Sequence, residues 1–486
     1  MTYRSSIAFL DSLVNYEKLA GPRNEFKLDN IRRLLELAGN PERKLRNVIL
    51  VAGTKGKGSV CYMLEAALRG CGLSTGMFIS PHVLDVRERI QLDGKPIPKS
   101  LFASLIARLA PFVQTSKPAN RQSAVPVSYF ELTTAMAFLL FAERQPDYSI
   151  VEVGLGGRLD ATNLSDPTIS VITRIGYDHL KVLGNTLTKI AGEKAGIMRK
   201  GRPVVIGEQE PEALSALKRK ARESGARSVP SSVVSVLSVE SVADGLRLDA
   251  RCRFGAGEIR LPLLGRHQSE NCRTALAVLN ELSMLGRRIK FHCVARGMER
   301  VSIPARCQIV RRRPLTIVDS CHNPESGRAL ANTLRDHLPK VANRRFPHPR
   351  PLPEGEGRGE GVEPPIANRP SPKVVLIYGS LSGKLVAETV APLAPYVEQA
   401  ILVQPDNPRA MPLAELKQVF THLRIPFVTA DNVRSALSLA RASSLSLHRS
   451  SLPVVVAGSF YLAGEALKVL GPSRAGRSLR QHRGSR

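Results

Sequence analysis

The sequence predicts an α/β protein of two domains, each a mostly parallel sheet layered with helices. Three observations carry this. Between Val48 and Ile206 the short apolar runs NVILVAG, DYSIVEVG, TISVITRIG and RPVVIG alternate with helical stretches, the order expected of βα units. After about residue 300 the series restarts with IVRRRPLTIVDS, PKVVLIYGS, EQAILVQP and LPVVVAGS. The third observation is residues 51–60, VAGTKGKGSV. This glycine turn joins the run Val48-Ile49-Leu50 to Val60, Met63, Leu64, Ala67 and Leu68, whose spacing is helical.

Such a turn presents backbone N–H groups at a helix N-terminus, where phosphate binds, and a neighbouring lysine reaches the outer phosphates. The common form, G-x-x-x-x-G-K-[ST], is not met: Gly53 lies three residues before Gly56, and Lys57 is followed by Gly58, so the Ser59 hydroxyl comes one place late. A shortened nucleotide loop is expected. The fold class is therefore an N-terminal P-loop ATPase domain with a mostly parallel sheet, plus a C-terminal Rossmann-like α/β domain. A hairpin-like region around 228–262 (SSVVSVLSV, LRLDARCRF, EIRLPL) leads into a helix starting near Gln268. The first domain is assigned to 1–298 and the second to 299–472, with a basic tail at 473–486. Within the second, residues 344–373 are dominated by Pro, Gly and charge. They read as a solvated insertion without catalytic role, set between a helix ending near His337 and a strand starting near Val374.

With 486 residues, 43% of them hydrophobic, the chain can bury two or three cores. No signal peptide or long apolar run stands out, so a cytoplasmic location is expected. The seven cysteines are scattered without a C-x-x-C pair, which suggests neither a zinc site nor a disulfide framework. Cys321 beside His322 invites a thiol nucleophile, but chain neighbours rarely face one another. A formal charge of +28 fits either nucleic acid or small anionic substrates. Basic residues are spread along the whole chain and aromatics make up 5% of it, with no Trp, so few platforms exist for stacking bases.

Four further segments accompany the glycine loop: ISPHVLDVRERI (79–90), SYFELTTAMAF (128–138), VEVGLGGRLDATN (151–163) and TRIGYDHLKVLG (173–184), the last preceding TKIAGEKAGI (188–197). Later come GRHQSEN (265–271), PARCQIV, VDSCHNP and VVVAGSFYLAGEAL. In order and wording these resemble the Mur-ligase superfamily, and within it the bifunctional folylpolyglutamate synthase and dihydrofolate synthase family. The resemblance implies an ATP-dependent ligase joining a carboxylate to the amine of L-glutamate. Its acid would be a reduced folate or dihydropteroate, activated as an acyl phosphate because a bare carboxylate has no usable leaving group. The implied cofactors are ATP and two magnesium ions; the implied state is a monomer, with no membrane partner.

Carried over position by position, the resemblance assigns Thr54, Lys55, Gly56, Lys57, Gly58 and Ser59 to the ATP phosphates. Asn271, Arg306 and Asp319 are implied as further ATP contacts. Ser80 and Glu152 match a first magnesium site and His179 a second, supported by Lys194, which in the family is carbamoylated. Ser128, Tyr129 and Phe130 match the place of the pterin-containing acid. Asp319, His322 and Ser459 match positions near the nucleotide and the incoming glutamate. Lys57, Lys194, His179, Asp319 and His322 form the implied catalytic set. The chain departs from the family pattern at several places. Lys55 stands where many members have Asn, PARCQ where PGRFQ is common, Leu180 where DHT is common, and LSGKL (381–385) where an aspartate-lysine-aspartate stretch is frequent.

Two other readings are weighed. A Mur-type peptidoglycan ligase would share the loop, but the GLGGRLDATN string counts against it. A basic nucleic-acid-binding NTPase would show turnover raised by DNA or RNA and suppressed by salt.

Overall fold

Val48 to Ala52 form strand β1, and none of the five is more than 1% exposed. A run of aliphatic side chains pointing to both faces has to be covered on both, and β1 sits inside a parallel array. The computed structural model describes residues 1–16, 27–114, 124–286, 288–342, 373–446 and 452–471. The tail at 473–486 and all of the 344–373 insertion except Lys373 lie outside the described residues. Two compact units are present. One comprises Met1–Glu240, Arg247–Pro262 and His267–Ile303; the other comprises Ser241–Leu246, Leu263–Arg266 and Pro304–Arg486.

The first unit holds an eight-stranded sheet of order β4-β3-β2-β5-β1-β6-β7-β8. Besides β1 its strands are β2 (Thr75–Phe78), β3 (Ile90–Leu92), β4 (Lys95–Pro96), β5 (Tyr148–Glu152), β6 (Pro167–Ile172), β7 (Pro203–Ile206) and β8 (Arg227–Pro230). From β2 to β8 in sheet order every pairing is parallel, while β3 and β4 add an antiparallel edge. Because β1 lies between β5 and β6, the carboxyl ends of these three strands open side by side, where open α/β sheets take ligands. The expected hairpin region is a three-stranded sheet of β9 (Ser235–Val242), β10 (Gly245–Cys252) and β11 (Gly255–Leu261), in the order β11-β10-β9. The helix expected near Gln268 runs His267–Met284.

The second unit carries β12 (Gln308–Arg312), β13 (Leu315–Val318), β14 (Val374–Tyr378), β15 (Val397–Val403), β16 (Phe427–Ala430) and β17 (Val454–Ala457), ordered β12-β13-β17-β14-β15-β16. All pairs are parallel except β12 with β13. The run IVRRRPLTIVDS is thus two strands folded back on each other. The helix expected to end near His337 continues to Ala342. His337 is buried in this unit; its Nδ1 pairs with the Val242 carbonyl at 2.8 Å and its Nε2 accepts from Gly265 N at 3.0 Å. One tautomer satisfies both bonds, with the proton on Nδ1, and burial lowers the His337 pKa in keeping with a neutral ring. The side chain thereby ties segments 241–246 and 263–266 to their own unit. Among the described residues no helix is long and apolar enough to cross a membrane.

Candidate active site

The turn after β1 is shaped by two positions that admit no side chain. Gly53 has φ +150°, and a Cβ there would lie 1.8 Å from Thr173 Oγ1; at Gly56, φ +86°, it would lie 2.2 Å from Asn271 Oδ1. Each glycine lets the loop approach a neighbouring element more closely than any other residue allows. The 14-residue helix Lys57–Gly70 begins at once, with Gly56 as its left-handed N-cap and no side chain capping it. Its first N–H groups are the kind of donor set that takes phosphate.

The sheet brings other predicted residues to this loop. Glu152, at the carboxyl end of β5, is 4% exposed. Its Oε2 accepts from Ser80 N at 3.0 Å, and its Oε1 is 4.0 Å from Lys57 Nζ. Lys194 is likewise 4% exposed, and its Nζ donates to the Gly53 carbonyl at 2.8 Å. Burial, with the Lys57 ammonium as the next cause, pulls the Lys194 pKa down from 10.5 to about 7. Lys55 Nζ is 3.5 Å from Asp178 Oδ2. His179, in the left-handed conformation at φ 51°, donates its N–H to Asp178 Oδ1 at 3.0 Å, and its ring is half exposed. Asn271 abuts Gly56 and donates from Nδ2 to Gln268 Oε1 at 2.9 Å. Among the described residues no three His, Cys, Asp or Glu side chains gather into a metal cage.

Ser128, Tyr129 and Phe130 are placed differently from one another. Ser128 is the N-cap of the helix Tyr129–Arg144; it exchanges hydrogen bonds with Glu131 in a capping box. Tyr129 is buried, with the Arg89 guanidinium 5.2 Å from its ring centroid. Phe130 leans on Phe78, and its ring occupies the space a side chain at Gly154 would need, 2.6 Å from that Cβ position. The three therefore include one helix cap and two rings, and Phe130 reaches the segment just after Glu152.

Several residues that shape the site escape a sequence reading. Asp160, wholly buried, accepts from Leu155 N at 2.8 Å and from Thr162 N and Oγ1, so it folds the stretch after Glu152 into one turn. Burial raises its pKa, and these hydrogen bonds oppose the rise. Gly157 lies against Lys194, where a Cβ would be 2.8 Å from the Glu193 and Lys194 carbonyls. Asn163 Nδ2 donates to the Gly196 carbonyl at 3.2 Å. The GLGGRLDATN string is thus the joint that presses the Lys194 helix onto the sheet. Arg89, 1% exposed, donates from Nε to His82 Nδ1 at 3.0 Å. Its only sequence signal was a third charge in VRER.

In the second unit the predicted residues cluster at the carboxyl ends of β13 and β17. Asp319 accepts from Cys307 N and Cys321 N, both at 2.7 Å, one on each oxygen. Arg306 donates from Nη1 to Ser320 Oγ at 2.7 Å, and its guanidinium lies 5.0 Å from the Phe460 ring centroid. The His322 ring is 5.6 Å from the same Phe460, and its Nδ1 pairs with the Ser320 carbonyl at 2.8 Å. Ser459 is buried and caps the helix Phe460–Leu470 by accepting from Leu462 N at 3.1 Å. Cys321 and Cys307 are buried, and neither is in a disulfide.

Ala305 and Cys307 flank Arg306 with φ 53° and 45°. A left-handed alanine costs about 1 kcal/mol, partly offset by the rigidity alanine gives the unfolded chain. Ala305 is also fully buried, so Ala305→Gly trades the relieved strain against a lost methyl group of about 0.8 kcal/mol, and the melting midpoint is expected to stay within about 2 °C. Calorimetry reads this, and a midpoint raised by more than about 4 °C would show that relief of strain at Ala305 dominates.

The Mur ligase middle domain matches residues 51–279. The dihydrofolate synthase/folylpolyglutamate synthase of Mycobacterium tuberculosis is 31% identical over 473 residues, covering 91% of this chain and 90% of that protein. The chain belongs to the folylpolyglutamate synthase/dihydrofolate synthase family. As a member it is a ligase that forms carbon–nitrogen bonds. The fold agrees. A solved Mycobacterium tuberculosis folylpolyglutamate synthase complexed with ADP superposes with TM-score 0.80 at 29% identity, covering 96% of this chain and 98% of that one. An FPGS-AMPPCP-folate complex superposes with TM-score 0.75 at 27% identity, covering 97% of this chain and 100% of that one.

Proposed function

We propose that the protein uses ATP to add L-glutamate to tetrahydrofolate, and also to dihydropteroate, through an acyl phosphate. The observation that carries this reading is the cluster at the carboxyl ends of β1, β5 and β6. There Lys57 faces Glu152, and Lys194 is bonded to the carbonyl of Gly53. Lys55, Lys57 and Lys194 share one electrostatic neighbourhood, since Lys57 and Lys55 both depress Lys194. A triphosphate relieves that crowding of like charge. A carboxylate substrate then receives the terminal phosphoryl group and gains a leaving group, and the amine of glutamate displaces it.

The chain's own part is to bind, align and exclude water. The helix N-terminus and Lys57 hold the β- and γ-phosphates, Gly56 and Gly58 let the backbone approach them, and Thr54 and Ser59 flank the loop. Asn271, Arg306 and Asp319 are assigned to the nucleotide, and His322 and Ser459 to the incoming glutamate. Phe130, half-buried, offers a face to the flat heterocycle, with Ser128 capping the helix that carries it; Tyr129, assigned to the same acid by the resemblance, is instead packed in the core against Arg89.

The donor set at Glu152 suits magnesium, which takes hard oxygens and is commonly held by one or two carboxylates with phosphate and water. Ser80 and Glu152 would hold one ion, and His179 and a carbamoylated Lys194 a second; bound magnesium would neutralise the phosphate oxygens. Supplying purified protein with ATP, magnesium, L-glutamate and either tetrahydrofolate or dihydropteroate is expected to give a product heavier by one glutamyl unit in each case, weighed by mass spectrometry. ATP turnover that rises on added nucleic acid, with no glutamyl product, would sink the reading.

A further inference from the structure

Residues 173–176 leave β6 as a ledge on which the phosphate loop rests. Thr54 N and Lys55 N both donate to the Arg174 carbonyl, at 2.9 and 3.1 Å, and Thr54 Oγ1 donates to the Gly176 carbonyl at 3.2 Å. Thr173 closes the start of the ledge, its N donating to the Ala52 carbonyl at 2.8 Å. Two residues beyond Gly176, the same segment delivers Asp178 to Lys55, followed by His179. A shift of this ledge therefore moves the loop and the Asp178-His179 pair together.

The other side of the ledge is held from the segment just beyond β7. Gln209, half-buried just beyond β7, accepts from Ile175 N at 2.9 Å through Oε1 and donates from Nε2 to the Thr173 carbonyl at 3.0 Å. Its amide thus grips the residues before and after Arg174, whose carbonyl the loop uses. Next to it, the Glu210 carboxylate accepts from Arg174 Nη2 at 2.5 Å. An amide is the side chain suited to this grip, because it presents one acceptor and one donor a fixed distance apart. Methionine of similar length can make neither bond.

We propose that Gln209 is a positioning residue for ATP: it fixes the ledge that sets the height and angle of the phosphate loop and acts through that ledge, not by contact with a substrate. The inference rests on the reading of residues 53–59 as the phosphate loop. Gln209→Met keeps the length of the side chain and removes both hydrogen bonds, each worth enough for a several-fold effect. In the full-length enzyme it is expected to raise KM for ATP about tenfold and to leave KM for glutamate within about twofold, with the melting midpoint lowered by about 2–8 °C through the same two lost bonds. Unchanged KM for ATP would overturn the proposal. So would an equal rise in both KM values, since that is the signature of general loosening. Gln209→Glu, which keeps the acceptor and loses the donor at neutral pH, gives a second variant should the methionine fail to fold, and the same split between the two KM values is expected. Lys57→Ala run in parallel separates the two readings. If it leaves both KM for ATP and kcat unchanged, the loop assignment is wrong; if it changes either and Gln209→Met leaves KM for ATP unchanged, the clamp is wrong.

Discussion

Lys57→Ala is expected to lower kcat/KM for ATP by about a thousandfold while leaving the fold intact. Lys57 is the first residue of the loop helix, and its ammonium, 4.0 Å from Glu152, is held in place before any nucleotide arrives. Removing one preorganised charge or donor from the centre where phosphate charge develops typically costs about a hundred- to a thousandfold. The upper end applies here, because the group is mostly screened from water and the helix end it adjoins has no capping side chain. Alanine is the best helix former, so the melting midpoint is expected to hold. A thousandfold loss in rate with an unmoved midpoint places Lys57 in the chemistry. A KM for ATP and a kcat each within threefold of the parent enzyme would remove it from the phosphate site.

The second large effect concerns the sign of the charge at position 194. A lysine with its pKa near 7 presents about half of its molecules as free amine at neutral pH, and a free amine is what carbon dioxide requires in forming a carbamate. If Lys194 works as an anion, Lys194→Ala and Lys194→Arg are both expected to lose at least about a hundredfold in kcat. Arginine keeps the positive charge and cannot be carbamoylated. Lys194→Glu, which supplies a permanent carboxylate on a shorter stem, is then expected to exceed Lys194→Arg. The opposite order, with arginine active and glutamate dead, would show that the residue serves as a cation. Native mass spectrometry with and without added bicarbonate gives an independent reading: the anionic role predicts one carbon dioxide adduct in the parent enzyme and none in Lys194→Arg.

Much of the site could be read from the chain because its densest motifs are local. The strand, turn and helix at 48–70 announce themselves by hydrophobic period and glycine spacing, and EVGLGGRLDATN and VDSCHNP mark strand ends by the abrupt change from apolar to polar. What the sequence concealed depends on distance along the chain. Nothing around Gln209 says that its amide will close on Thr173 and Ile175. Ser128 reads equally as a ligand or as a helix cap until its partner Glu131 is seen, although the three-residue spacing was itself a capping signal. The short strands β3, β4, β8 and β16 also went unread. Lys95–Pro96 is only two residues long, and Arg227–Pro230 is mostly exposed, so neither shows the apolar run of a buried strand. They exist because a neighbouring strand offers an open ladder. The short crossings at 241–246 and 263–266 have no composition of their own, and His337, which holds them, comes some seventy residues after the second.

The arrangement in which β1 lies between β5 and β6 bears on how the enzyme is made in the cell. The glycine loop at 53–59 is among the earlier parts of the chain to be synthesised, but its neighbours follow much later: Glu152, then Thr173, Lys194, Gln209 and finally Asn271. At ordinary translation speeds the interval is roughly ten to forty seconds. Throughout it the nascent chain carries a nucleotide loop without the walls that shape it. A chain that ends before the helix His267–Met284 lacks the Asn271 side chain that abuts Gly56, and is expected to hold ATP more weakly than one that extends through Ile303, where the first unit ends.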